Sequence, residues 1–79
     1  MDRAYYENAL AMADRHVHQG NLIIASQRRL IARLDHCGND STYANDLLVT
    51  FLTSQQHHED DLRRFTGELA KLANQPPQS

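Results

Sequence analysis

An all-α fold, built as an antiparallel two-helix coiled-coil hairpin, follows from three features of this 79-residue sequence. Apolar residues recur with a seven-residue period through most of the chain. The only internal cluster of turn-forming residues is Gly38-Asn39-Asp40-Ser41-Thr42. Elsewhere Gly and Pro are scarce, with three Gly and two Pro in all, and both prolines (Pro76, Pro77) fall in the last four residues. So little punctuation excludes the many turns of a β sandwich or barrel. The length allows one small domain, near the size at which a single core barely suffices.

The spacing predicts a first helix over about residues 3–37, a loop over about 38–41 and a second helix over about 41–73. Gly38 can take the left-handed conformation that closes a helix. Asp40 or Ser41 can accept a free N–H at the start of the next. The segment from Asn74 to Ser79, with its Pro-Pro pair, cannot propagate a helix and reads as a frayed tail.

In the first helix Tyr6, Leu10, Ala13, Val17, Gly20, Ile24, Gln27, Ile31 and Leu34 follow alternating steps of four and three. In the second, Ala44, Leu48, Phe51, Gln55, His58, Leu62, Phe65, Leu69 and Leu72 do the same. Gln19-Gly20-Asn21 could end a helix and make a three-helix bundle. The seam crosses Gly20 without losing register, however, so one long helix is expected, with Gly20 allowing close approach or a slight kink. Folding about the loop sets Leu34 near Leu48, Ile31 near Phe51, Val17 near Leu62 or Phe65, and Ala13 near Phe65 or Leu69. Gln27 and Gln55 then fall within about one layer and can form a paired polar layer that sets register. Tyr5, Tyr6 and Tyr43 stand at helix starts, where they are expected to cover the bundle ends.

One seam shared by two helices is little core for this length, and further apolar residues lie outside it. Ala9, Ile23, Leu30 and Cys37 form a second stripe at seven-residue spacing, interrupted by His16, and Leu47 and Leu52 flank the seam of the second helix on either side. We expect these to pack against a second copy, giving a C2 four-helix bundle with Ile23, Leu30, Cys37, Leu47 and Leu52 at the dimer interface. An unidentified protein partner is the alternative occupant.

Chemistry-bearing motifs are few. There is no Gly-rich phosphate loop, nucleophile elbow or Cys-x-x-Cys, so neither enzymatic activity nor a cofactor or small-molecule substrate is expected. Five histidines are present, and His16, His58 and Asp61 form an imaginable metal-binding set. The blander reading makes His58 a seam residue hydrogen-bonded inside the bundle and 57–61 a solvated charge run. A partly buried imidazole near Asp60 and Asp61 would also make the assembly pH-sensitive. A single cysteine excludes a disulfide framework, and Cys37 reads as a small buried apolar residue. Arg28, Arg29 and Arg33 make the best case for nucleic-acid binding, since dimerisation would double the patch. Against it stand a net charge of −2 and a second segment holding three basic and six acidic residues after Gly38. No apolar run is long enough to span a membrane and no signal peptide is evident, so the expected address is the cytoplasm.

The string Ala13-Asp14-Arg15-His16-Val17, Gly20, Ile24-Ala25, Gln27-Arg28, Leu30-Ile31, Leu34, Gly38, Asp40, Ala44, Leu47-Leu48 and Phe51 resembles a pattern found in small uncharacterised bacterial helical-hairpin proteins. It spans residues 13–51. The resemblance implies a helical hairpin and a bacterial cytoplasmic setting, and it brings no activity, cofactor or functional residue. The expected architecture also looks like the RNA-regulating Rop hairpin dimer, by fold analogy alone.

Overall fold

The computed structural model describes residues 3–74, and among them the chain forms two helices and no strand. Helix α1 runs Arg3–His36 and helix α2 runs Thr42–Ala73. They pack antiparallel along their length into a rod about 50 Å long at 1.5 Å per residue. Both ends of each helix fall within a residue of the sequence expectation; of the expected tail, residues 75–79 lie outside the described residues. Helix α1 is continuous through Gly20.

The reversal is a Schellman closure followed at once by an Asx cap. Gly38 has φ +73°, a conformation that costs any residue with a Cβ about 1–2 kcal/mol. It lets Asn39 N–H donate to the Leu34 carbonyl (2.8 Å) and Gly38 N–H to that of Asp35 (3.1 Å). Asp40 Oδ1 then accepts from the Thr42 N–H (2.9 Å) and hydroxyl (2.7 Å). Of the two capping candidates, Asp40 does the work, and Ser41 makes no side-chain cap bond. The Ser41 hydroxyl instead donates to Asp35 Oδ1 (2.8 Å), tying the last turn of α1 to the first of α2. The Asp40 carboxyl is held below the ordinary aspartate pKa, first by the Thr42 hydroxyl and then by its backbone N–H.

Every seam residue of both helices is buried or half-buried, as the seven-residue repeat requires. The register differs from the sequence expectation by one heptad. Gln55 lies against Gly20, and its Nε2 donates to the Val17 carbonyl and to Asn21 Oδ1, both at 2.8 Å. Gln27 Nε2 donates to the Ala44 carbonyl at 2.8 Å. Heptad steps from the Gly20–Gln55 layer set Ala13 opposite Leu62 and Gln27 opposite Leu48. The two glutamines are therefore buried (8 % and 4 % exposed) but do not pair with each other. The tight turn is one cause, since α2 starts back beside α1 immediately. Volume is the other: a Cβ on Gly20 would lie 1.7 Å from Gln55 Oε1. The close approach that Gly20 permits is thus to a side chain, and only this register offers Gln55 a gap.

The four ion pairs among the described residues (Arg3–Glu7, Arg63–Asp60, Arg64–Asp61, Lys71–Glu68) each lie within one helix and are exposed. Such pairs add about 0.3–0.5 kcal/mol each to a helix. Cohesion between the helices rests on the seam and on the two glutamine clamps.

Candidate interaction surface

The helices leave two long grooves where their seams meet. On one side Glu7, Leu10, Asp14, Leu62 and Thr66 border the groove. On the other, Tyr5, Ala9, Met12, Ala13, Asp61 and Phe65, together with His16, line an apolar groove of about 430 Å³. Seven-residue steps keep a helical residue on one flank. From His16 they lead to Ile23, Leu30 and Cys37, and from Asp61 back to Leu47. From Thr66 they lead back to Leu52. The structure therefore places Ile23, Leu30, Cys37 and Leu47 on one flank and Leu52 on the other, where its neighbours across the groove are the polar row of Glu7, Asp14, Asn21, Arg28 and Asp35. Leu52 thus stands apart from the other four residues expected at the dimer interface.

The flank that keeps the other four is partly open to solvent. Ile23 is 48 % and Leu30 36 % exposed, Met12 is about half exposed, and Leu47 is half-buried. Cys37 is exposed too in the single chain. It stands past the last turn of α1, and α2, which begins only at Thr42, has nothing there to lay over it. Tyr6 packs on Phe65 with ring centroids 6.4 Å apart and on Tyr5 at 5.2 Å, so the open end of the hairpin is covered as expected. Tyr43, 79 % exposed, covers nothing in the single chain.

The histidine set is partly assembled. The rings of His16 and His58 face each other across the seam with centroids 5.1 Å apart, and Asp61 borders the same groove as His16. Asp61 is 3.5 Å from Arg64 on its own helix. Among the described residues no three His, Cys, Asp or Glu side chains converge closely enough to hold a metal ion. His58 packs on an imidazole and makes none of the hydrogen bonds expected of it. Arg28, Arg29 and Arg33 are all exposed, but at 100° per residue they fan over about 140° of the circumference of α1. They do not line up as one phosphate-facing row. No described helix is long and apolar enough to cross a membrane.

What sequence reasoning missed is the Gly20–Gln55 contact. Its signal was present, a Gly and a Gln both on seam positions, but the expected register set them one heptad apart. No protein-family model, curated protein or solved structure matches the chain.

Proposed function

We propose that this chain is a non-catalytic interaction module that pairs with a second copy of itself through the flank carrying Ile23, Leu30, Cys37 and Leu47. One observation carries the reading. The only buried hydrophobic residues described are Ala13 and Ala44, and no large side chain is fully buried, while Ile23 and Leu30 are exposed outside the seam and Leu47 is half-buried beside it. A hairpin with so small an interior leaves its ordering cost poorly offset.

Surface area points the same way. A standard interface covers about 800 Å² per partner, and a flank about 50 Å long at 1.5 Å per residue and 15 Å wide is of that size. The exposed, single Cys37 suits a reducing compartment, and we place the protein in the cytoplasm.

The test is absolute mass by light scattering across dilution, with two substitutions. The native chain is expected at twice 9.0 kDa. Leu30→Lys is expected to give monomers or to unfold the chain, whereas Leu52→Lys, on the opposite flank, keeps the doubled mass. A folded chain of single mass at all concentrations, or an unchanged Leu30→Lys dimer, overturns the proposal.

A further inference from the structure

We infer that the two copies lie crosswise, with their loops at opposite ends and the two-fold axis perpendicular to the rod; this rests on the self-pairing proposed above. The apolar flank is not uniform along its length. Near the open end it is concave, because the small side chains of Ala9 and Ala13 lie beside Phe65 and leave the 430 Å³ groove. Toward the loop the heptad row that begins with Ala9 carries the larger Ile23 and Leu30, both exposed beside the half-buried Leu47, and these supply the ridge.

A two-fold axis along the rod sets groove on groove and ridge on ridge. The grooves then stay unfilled, and the ridges hold the open ends apart. Such an axis also opposes Asp61 and Glu68, both half-exposed on this flank, to their own copies. A perpendicular axis sets each ridge into the other copy's groove, and symmetry makes the contact twice. The groove centres near residue 11 of α1 and the ridge near residue 26, so the axis crosses α1 beside His18 and Gln19. By the Gly20–Gln55 register Glu68 lies level with Glu7 of its own chain, and so within one turn of the partner's Arg33. Close packing at the interface requires this complementarity of large onto small, which a lengthwise pairing lacks.

The single cysteine measures the arrangement without any substitution. Cys37 is exposed, near the loop end of the flank. In the crosswise dimer the two Cys37 residues lie about 55 Å apart along the rod, at a rise of 1.5 Å per residue from the axis. In a lengthwise dimer they meet at one end, within about 20 Å. Spin labels on Cys37, read by pulsed dipolar EPR on a sample whose mass is measured by light scattering, separate the cases. A doubled mass with a distance near 55 Å is the expected result. A doubled mass with a distance under about 40 Å overturns the crosswise arrangement and leaves the dimer standing. A single-chain mass overturns both. Mild oxidation of unlabelled protein is the second readout: a crosswise dimer forms no Cys37–Cys37 link, and rapid, concentration-independent disulfide dimers refute it.

Discussion

Replacing Gly20 by Ala sets two effects of opposite sign against each other, and the structure decides between them. At an ordinary interior helix position the change gains about 1 kcal/mol from helix propensity. Here the new Cβ would lie 1.7 Å from Gln55 Oε1 and 2.7 Å from its Cδ, so the amide must move. A flexible side-chain end often moves at little cost, but this one is 4 % exposed and its Nε2 is committed to Val17 and Asn21. Losing two hydrogen bonds costs about 2 kcal/mol, and overfilling the layer costs about 1 kcal/mol more. Set against the propensity gain, the net destabilisation is about 2 kcal/mol, or about 10 °C in Tm for a domain of this size. Urea and thermal unfolding followed by helical circular dichroism, at one fixed protein concentration, measure it. The sharper test repeats the substitution in a Gln55→Ala background, where the obstruction is gone. There Gly20→Ala is expected to stabilise by about 1 kcal/mol, a reversal of sign. If Gly20→Ala stabilises both backgrounds equally, Gln55 does not occupy the Gly20 gap and the register argument is wrong.

Three further outcomes follow from the turn and the clamps. Replacing Gln27 and Gln55 together by Leu is expected to keep or raise stability while admitting registers one heptad apart, seen as doubled backbone NMR resonances; one sharp set of native-like peaks would show that the clamps do not select register. Gly38→Ala must place a Cβ at φ +73° and is expected to cost about 1 kcal/mol in the same unfolding assay, whereas an unchanged midpoint would contradict the left-handed closure. The depressed pKa of Asp40 means that its capping contribution is complete above the unfolded-state pKa and is lost as pH falls through the lower folded value. Stability should therefore decline below about pH 4, and Asp40→Ala should flatten its share of that decline; an identical acid limb in the variant would remove Asp40 as the cap.

The seam was legible because a heptad repeat reports which residues face a neighbouring helix, whatever that neighbour is. The same property hides register, since sliding one helix by seven residues keeps apolar against apolar. Choosing among slides requires the residues that break the repeat, and here these are Gly20 and Gln55, a gap and the amide that fills it. Placing Gln27 against Gln55 was chemically reasonable, but it ignored the volume that each needs from the opposite helix. The flanking apolar residues were also legible, with Leu47 and Leu52 on either side of the seam, yet which of them continues the apolar stripe of α1 emerges only once each groove is identified by its borders. The seven-residue spacing carries the stripe on to Cys37, one step past the point where α2, which begins at Thr42, can cover it.

The two clamps also order the hairpin in time. Gln27 and Ala44 are separated by 17 residues and Gln55 and Val17 by 38, while the Tyr6–Phe65 contact spans nearly the whole described chain. Chain-closure entropy rises with that separation, so contacts nearest the turn have the smallest loops to close. Gln27 can secure the loop half before Gln55 closes the middle, and the aromatic end, beyond both clamps, joins last. Opening runs in reverse, and the apolar groove lies in the segment that parts first. A partner copy seated there would hold shut the very half of each hairpin that its own turn secures least.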